Sequence, residues 1–368
     1  MDIFANEPRE KLIFAPTPLH KAENLSRELG VGLWLKRDDL TGPGVFGGNK
    51  MRKLEFLIGE ARQMKADYVI TYGASQSNHA MQTAAACARA GFRCILYLVA
   101  LVPPDPAAPK GNMLLDMLFG ADMRVVELGP GESEDAGLKK CYAMADEQIR
   151  ALEKEGFRCL NVPMGGASVS GSLGYVSCYL EIMEQSAALG LPAFDYIYHA
   201  TGSAGTMAGL LAGRAICRGG GGGGGNGSGG RGGGSGGGGS VGSGGGEIRS
   251  VCASAKFGEY EGNAVSLANG VLERLGRAER VAESDLSVWR EYVGPGYEVP
   301  YPESTEAVKL MARKEGITLD PVYSGKAFAG LLDHVRTGKI KQGENALFIC
   351  TGGAASLFAE PEIVGDLR

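Results

Sequence analysis

The chain has 368 residues, of which 44% are hydrophobic and 21% charged, and its 37 Lys+Arg against 42 Asp+Glu give a formal net charge of -5. This mild acidity argues against nucleic acid as a partner, because a phosphate-binding surface needs clustered Lys and Arg. The longest apolar stretch, residues 94–102, is far shorter than the roughly 20 residues of a membrane-spanning helix, and residues 1–14 show no secretory signal pattern. We expect a cytoplasmic protein with no membrane partner.

Runs rich in β-formers alternate with helix-like runs along most of the chain. The first predicted strand is Gly32–Lys36, and the others span residues 67–72, 93–99, 123–127, 158–162, 195–199, 248–253 and 346–351. Between them apolar residues recur at helical spacing, as in Met51, Leu54 and Leu57. This alternation predicts an α/β protein with largely parallel sheets, whose ligands bind at the carboxyl ends of the strands.

Residues 219–246 interrupt this order with 21 glycines in 28 positions, between a predicted helix at 206–214 and the strand that begins at Ile248. Sequence of this kind cannot bury enough apolar area to offset its ordering entropy. We expect a flexible surface insertion with no part in the chemistry.

The cysteines and histidines form no recognisable metal or disulfide pattern. Eight cysteines are scattered without C-x-x-C spacing, and the four histidines include no H-x-x-x-H pair. In a chain of this length the pattern favours reduced thiols that pack as small hydrophobes. We expect no metal site.

A lysine stands in the first turn of a predicted helix, in the motif Gly47-Gly48-Asn49-Lys50. A cation is unfavourable at a helix N-terminus, and a residue placed against local preference is a candidate for chemistry. Partly desolvated at the positive end of the helix dipole, Lys50 would have a lowered pKa, which a Schiff-base lysine needs. On this motif alone, a solvated surface lysine remains the alternative.

A second motif, Ser75-Gln76-Ser77-Asn78-His79, lies between the strand at 67–72 and a helix-like run at 81–89. Capping the helix explains one such polar residue, whereas the cluster also fits a substrate carboxylate bound at the helix N-terminus. Ser77, Asn78 and His79 are therefore candidate substrate ligands. Capping or packing is the alternative reading of His79.

A third motif at residues 201–206 again joins a strand to a helix through a turn rich in Gly, Ser and Thr. Successive backbone N–H groups and hydroxyls at a helix start form a phosphate cradle. The turn matches neither a P-loop nor a G-x-G-x-x-G fingerprint, so a monophosphate on an organic cofactor fits better than a nucleoside triphosphate. The candidate cradle residues are Gly202, Ser203, Ala204, Gly205 and Thr206.

A reactive lysine, a carboxylate-binding turn and a monophosphate cradle together indicate pyridoxal 5'-phosphate chemistry. With Leu-Asp-Pro-Val-Tyr-Ser-Gly-Lys at 319–326 and Thr-Gly-Gly at 351–353, the motifs resemble the D-cysteine desulfhydrase and 1-aminocyclopropane-1-carboxylate deaminase family. The resemblance covers almost all of the chain except 219–246. It implies the tryptophan synthase β-like fold type II, with two open, twisted, mostly parallel sheets and flanking helices.

The resemblance also implies roles for individual residues. Lys50 would carry the cofactor, Asn78 would bond the pyridoxal 3'-oxygen, and Ser77 would be an acid/base or carboxylate-binding group. The turn at 202–206 would hold the phosphate. Thr351 would face the pyridine nitrogen, where a neutral hydroxyl leaves the ring a milder electron sink and favours elimination.

The reaction implied by the resemblance is β-elimination from a small amino acid. The released Lys50 amine would remove the Cα proton as general base, while Tyr297 and Tyr323 would bond the leaving group or the substrate carboxylate. Deaminases of the cyclopropane substrate carry a glutamate directly after the tyrosine that matches Tyr323. This chain has Ser324 there, which favours D-cysteine, with pyruvate, hydrogen sulfide and ammonia as products. Met81, where relatives often carry arginine, leaves the substrate's acidic group open.

Three alternatives to D-cysteine desulfhydration remain: L-cysteate sulfo-lyase, 1-aminocyclopropane-1-carboxylate deaminase, and a catalytically silent cofactor-binding regulatory protein. The resemblance further implies a homodimer. It implies a large cofactor domain made of residues 1–52 and 162–368, into which a small domain at 53–161 is inserted.

Overall fold

The computed structural model describes residues 2–42, 47–100, 103–105, 107–129, 131–220, 245–254, 261–359 and 364. Within these ranges the chain forms ten strands. They are β1 (Leu19–Lys21), β2 (Gly32–Lys36), β3 (Tyr68–Ala74), β4 (Arg93–Ala100), β5 (Asp122–Glu127), β6 (Cys159–Asn161), β7 (Tyr196–Thr201), β8 (Glu247–Cys252), β9 (Ser287–Trp289) and β10 (Asn345–Ile349).

The strands make two sheets. One has six strands in the order β1-β2-β10-β7-β8-β9, and the other has four in the order β5-β4-β3-β6. Every neighbouring pair is parallel except β1 with β2, which is antiparallel. Because strands of one sheet run in the same direction, their carboxyl ends and the segments that follow them gather on one side.

Helices lie between the strands. They are α1 (Glu23–Leu29), α2 (Asn49–Gln63), α3 (Asn78–Ala90), α4 (Gly111–Leu118), α5 (Glu134–Lys154), α6 (Val169–Ala188), α7 (Gly205–Gly220), α8 (Glu261–Arg274), α9 (Pro302–Glu315), α10 (Ser324–Arg336) and α11 (Ser356–Ala359). Short 3₁₀ turns occur at Asp38–Leu40, Met164–Gly166 and Glu283–Asp285.

Both faces of each sheet are covered by helices, as expected of parallel sheets. Alternate residues of β7 show this: Ile197 packs with α6, α7 and α8, while its neighbour Tyr198 packs on the opposite face with α9 and α10. The four-stranded sheet packs on α2 and α3 on one face and on α5 on the other. Helix α2 also packs against α6, so its first turn, which carries Lys50, lies where the two sheets meet.

The α/β fold with two mostly parallel sheets is confirmed, and the eight predicted strands are present with ends displaced by a few residues. The prediction missed β1 and β9. Each is three residues long and lies at an edge of the six-stranded sheet, where a short strand has almost no periodicity to detect.

The domain limits remain a prediction, although all four strands of the smaller sheet fall within residues 68–161. Residues 221–244 of the predicted insertion lie outside the described residues. The insertion follows α7 and precedes β8. Among the described residues, no helix combines the length and apolar character needed to cross a membrane.

Candidate active site

The segments that follow β3, β7 and β10 open into one cavity, together with the first turns of α2 and α7. The cavity holds about 1070 Å³ of space empty of protein atoms, counted out to its mouth. Both sheets supply its wall, through Gly73 and Ala74 of β3 on one side and Ala200 and Thr201 of β7 on the other. Of the twelve candidate residues named from sequence, all but Gly205 line it; Gly205 is the first residue of α7.

The N-terminus of helix α2 lies at this cavity, where hydrogen bonds to two other segments hold it in place. The Thr41 hydroxyl donates to the carbonyl of Gly48 and accepts from its N–H, both at 2.8 Å. The Asn49 N–H donates to the carbonyl of Thr351, at 3.0 Å. Lys50 is thereby held in the first helical turn, as the sequence predicts, next to the segment that follows β10.

The Lys50 amine faces polar and aromatic groups. It donates to Asn49 Oδ1 at 3.1 Å, and its nitrogen lies 5.9 Å from the centre of the Tyr323 ring. Burial lowers the pKa of Lys50 to about 8, and the charge of the Asp320 carboxylate opposes this shift. A larger neutral fraction near physiological pH makes the amine a better nucleophile and base.

A second lysine, Lys53, lies one turn further along α2 and was missed from sequence. Its side chain is 1% exposed, and its amine donates to the carbonyl of Gly165 at 3.1 Å. A Cβ atom on Gly205 would lie 3.0 Å from this amine, so Lys53 reaches the first turn of α7. Burial and the charge of Lys50 hold the pKa of Lys53 well below its usual range. The available signal was the three-residue spacing, which puts both lysines on one helix face.

Ser77 caps α3, as one reading of the second motif predicts. Its Oγ accepts from the N–H of Ala80 at 3.2 Å, which leaves the hydroxyl hydrogen free to be donated. A Cβ on Gly73 would lie 2.5 Å from both Cβ and Oγ of Ser77. The turn therefore approaches β3 closely enough to need glycine there.

Asn78 is oriented by a residue of α4 that the sequence did not reveal. Asn112 is fully buried, and its Nδ2 donates to Asn78 Oδ1 at 2.9 Å and to the carbonyl of Gln76 at 2.7 Å. Because the oxygen of the Asn78 amide is engaged, its nitrogen is the end left to bind other groups. A Cβ on Gly353 would lie 2.6 Å from that nitrogen. Asn78 therefore presents a donor at the cavity.

His79 is neutral. The Thr71 hydroxyl donates to the carbonyl of Val162 at 2.9 Å, so it accepts from Nε2 of His79, at 2.8 Å. Burial and the charges of Lys50 and Lys53 lower the pKa of His79 well below its usual range. Its Nδ1 is buried without a partner among the described residues. The proposed contact of His79 with substrate remains a prediction.

The turn at 201–206 combines an unusual backbone with unpaired polar atoms. Ala204 adopts a left-handed conformation with φ 64°. Thr201 lines the cavity, and its hydroxyl oxygen is buried without a partner among the described residues, while Thr206 Oγ1 accepts from Asn49 Nδ2 at 3.2 Å. The first N–H groups of a helix have no intrahelical acceptor, so the start of α7 is suited to bind an anion.

Two tyrosines form the opposite wall. The hydroxyl oxygens of Tyr297 and Tyr323 are 2.6 Å apart, and their ring centres are 5.8 Å apart. Burial raises the pKa of both phenols. Both therefore remain protonated at neutral pH; one hydroxyl donates to the other, and the accepting one keeps its hydrogen for a bound molecule.

The buried carboxylate of Asp320 supports this wall and was also missed from sequence. It accepts from the backbone N–H groups of Val322, Tyr323 and Ser324 at 3.1, 2.8 and 2.8 Å. Burial raises the pKa of Asp320, and these hydrogen bonds oppose the shift. Asp320 thus fixes the start of α10 and Tyr323, the residue directly before it.

Known proteins resemble this chain over most of its length. A family model described as "Pyridoxal-phosphate dependent enzyme" matches residues 11–352. The chain is 38% identical over 354 residues to proteins named D-cysteine desulfhydrase from Yersinia pestis and Yersinia pseudotuberculosis, with 96% of each chain covered. A solved structure described as an ACC deaminase homologue has a TM-score of 0.80 and 34% identity, covering 98% of this chain and 97% of that one.

A more distant structure shares the fold alone. Threonine deaminase isoform 2 from Solanum lycopersicum is 17% identical, with a TM-score of 0.62 over 98% of this chain and 85% of that one. The chain belongs to the pyridoxal-phosphate dependent enzyme family, and its cofactor is pyridoxal 5'-phosphate. Its two mostly parallel sheets with flanking helices are those of fold type II.

The residues of the cavity fit this cofactor. The unpartnered hydroxyl of Thr201 and the N–H groups at the start of α7 offer donors to a phosphate. The Lys53 amine lies beside the same turn as a further hydrogen-bond donor. Lys50, whose pKa is lowered to about 8, offers an amine suited to bind an aldehyde.

Proposed function

We propose that the protein is a carbon–sulfur lyase that converts D-cysteine to pyruvate, hydrogen sulfide and ammonia. The observation that carries the proposal is one cavity lined by Lys50, by an anion-binding turn and by two protonated tyrosines. The relatives named D-cysteine desulfhydrase, at 38% identity over 96% of the chain, support this choice of substrate.

In this proposal each wall of the cavity has a separate task. Lys50 would attach the cofactor, the turn at 202–206 and Lys53 would hold its phosphate, and Asn78 would donate to its ring oxygen. Thr351, a buried neutral residue two positions after the end of β10, would face the ring nitrogen.

When bound, pyridoxal 5'-phosphate supplies an electron sink for negative charge at the substrate Cα. The protein then has to move one proton and assist one leaving group. The Lys50 amine, neutral in part because its pKa is about 8, takes the Cα proton. Hydrosulfide is a good leaving group, so a hydrogen bond from Tyr297 or Tyr323 suffices, and Ser77 is left to bind the substrate carboxylate.

The residue after Tyr323 supports elimination from D-cysteine over ring opening of the cyclopropane acid. Ser324 is 1% exposed, and its hydroxyl donates to the Asp320 carboxylate below the cavity wall. Position 324 therefore offers no acidic group to a substrate. A cyclopropane deaminase would need another acid to protonate the ring carbon.

One assay panel tests the substrate. Purified holoenzyme is given D-cysteine, L-cysteine, L-cysteate and 1-aminocyclopropane-1-carboxylate in parallel, and pyruvate, sulfide, sulfite and 2-oxobutanoate are measured. We expect sulfide and pyruvate from D-cysteine at the highest kcat/KM. Sulfite from L-cysteate would make the protein a sulfo-lyase, and 2-oxobutanoate would make it a deaminase. A cofactor spectrum without turnover of any substrate would favour a regulatory protein.

We also propose a cytoplasmic homodimer and the division into domains at 1–52 with 162–368 and at 53–161. The eight cysteines, all free, support a reducing compartment. Light scattering of the purified protein tests the dimer, and a monomer at micromolar concentration would contradict it.

A further inference from the structure

A lysine of α10 is buried close to the tyrosine wall and is not part of the cavity. Lys326 is fully buried, and its amine donates to the carbonyl oxygens of Val293 at 2.8 Å and Gly296 at 2.7 Å. A lysine in the first turn of a helix opposes the helix dipole. Its burial also removes a strongly hydrated ammonium from water. Because Lys326 carries both of these energetic costs, we infer that its two hydrogen bonds have a structural role.

Both acceptors belong to the loop that carries Tyr297. Gly296 is the residue directly before Tyr297, so Lys326 holds the backbone on which that ring is mounted. The loop has little regular structure of its own: an isolated bridge joins Gly296 to Val299, and Glu298 lies in the left-handed region at φ 60°. The position of Tyr297 therefore depends on bonds from outside the loop.

The start of α10 thus holds Tyr297 at two points. Lys326 bonds the backbone before it, and Tyr323, three residues earlier on the same segment, meets its hydroxyl at 2.6 Å. Asp320 fixes this segment through three backbone N–H groups. We propose that Lys326 is a positioning residue, which sets the distance of the Tyr297 hydroxyl from Tyr323 and so from the reacting substrate. This inference rests on the proposed function, in which Tyr297 contacts the substrate.

A double-mutant cycle on D-cysteine turnover tests the proposal. Lys326→Met removes the donors and keeps a side chain of similar length. Because a misplacement of about 1 Å can cost about 100-fold in rate, we expect kcat/KM to fall about 10- to 100-fold, mostly in kcat. In a Tyr297→Phe background, the same change should cost less than about threefold, since the hydroxyl that it positions is absent.

The matched control is Phe328→Leu, another change at a fully buried residue of α10, whose ring packs against Phe348 of β10. Its effect on kcat/KM should be the same in both backgrounds. Lys326→Gln, which keeps one shorter donor, replaces Lys326→Met if the latter does not accumulate as folded protein. Equal losses from the Lys326 change in both backgrounds would overturn the proposal.

The absorbance of the bound cofactor distinguishes a failure of the role proposed for Lys326 from a failure of the proposed function. Lys326→Met should bind cofactor with the visible spectrum and affinity of the unmodified protein, because Lys326 does not line the cavity. Loss of the spectrum in this variant would make Lys326 a residue that maintains the cofactor site, and would overturn its role through Tyr297. No cofactor spectrum or no elimination in the unmodified protein would instead refute the proposed function.

Discussion

At the scale of single residues, two lysines of one helix face have different tasks because their neighbours differ. Lys53 is bonded to the Gly165 carbonyl and reaches the first turn of α7, so its amine is held in place. Lys50 bonds a side-chain oxygen of Asn49, lies beside the Tyr323 ring and opens on the cavity. Burial lowers the pKa of both. Of the two lysines, Lys50 is the one that lines the cavity.

This difference predicts how the cofactor-free protein takes up pyridoxal 5'-phosphate. Only a neutral amine attacks an aldehyde, and the pKa of Lys50 is about 8, so the rate of covalent attachment should rise with pH and level off above about pH 8. The appearance of the visible cofactor band after mixing measures this rate. Lys50→Ala should show no such band, while Lys139→Ala, a change at an exposed lysine of α5, should keep it. A band that persists in Lys50→Ala would refute the assignment.

At the scale of elements, helix α4 carries both a buried acid, Asp116, and Asn112, which contacts the cofactor site through Asn78. Asn112 and Asp116 are both fully buried and, four residues apart, lie on one face of the helix. Among the described residues, Asn112 Oδ1 and both carboxylate oxygens of Asp116 have no hydrogen-bond partner. Burial raises the pKa of Asp116 to about 8. A protonated Asp116 would therefore be the favoured form in the folded protein at neutral pH.

The raised pKa predicts a stability that depends on pH. Asp116 is protonated in the folded protein up to about pH 8, while in the unfolded chain it ionises near pH 4. Its contribution to stability is complete below about pH 4 and is lost as the pH rises through about 8. Asp116→Asn should remove this loss. Compared with the unmodified protein, the variant should gain more free energy of unfolding at pH 8.5 than at pH 5, by an amount on the order of a few kcal/mol.

Urea denaturation of both proteins at the two pH values measures this change. Glu127→Gln, at an exposed carboxylate on neighbouring β5, is the control and should change stability by a similar small amount at both values. If Asp116→Asn behaved like the control, the carboxyl group would be solvated or paired in solution.

At the scale of the whole molecule, the sequence predicted the strands and the turns that follow them, because short stretches of sequence determine these features. Strands with continuous apolar runs, and Gly- and hydroxyl-rich turns directly after them, could be located from sequence, because parallel topology then brings their ends together. Lys53, Asn112 and Asp320 could not be located in this way. Lys53 and Asn112 act through partners far along the chain, the Gly165 carbonyl and Asn78, and only the fold creates those contacts. Asp320 bonds backbone N–H groups two to four residues ahead of it, and only the fold places that turn beside the cavity.

The insertion at 219–246 belongs to the same scale. No residue of this range lines the cavity within the part of the chain that the structure describes, and the range joins the end of α7 to the start of β8. Replacing residues 222–243 by a four-residue Gly/Ser link should therefore leave cofactor affinity and D-cysteine turnover within about twofold. An equilibrium titration with cofactor and a kinetic assay measure both. A loss of cofactor binding above tenfold would show that the insertion supports the site.

The part of the tyrosine wall that Tyr323 forms comes from one short segment of the chain, which bears on how such an enzyme can diversify. Asp320, Tyr323, Ser324 and Lys326 lie within seven successive residues, whereas Lys50, Asn78 and Thr206 are contributed by distant parts of the chain. Substrate preference can therefore change through substitutions in one short segment, while the residues that bind the cofactor stay unchanged. A library at position 323, with the buried Asp320, Ser324 and Lys326 kept unchanged, would explore new leaving groups with little risk to the fold.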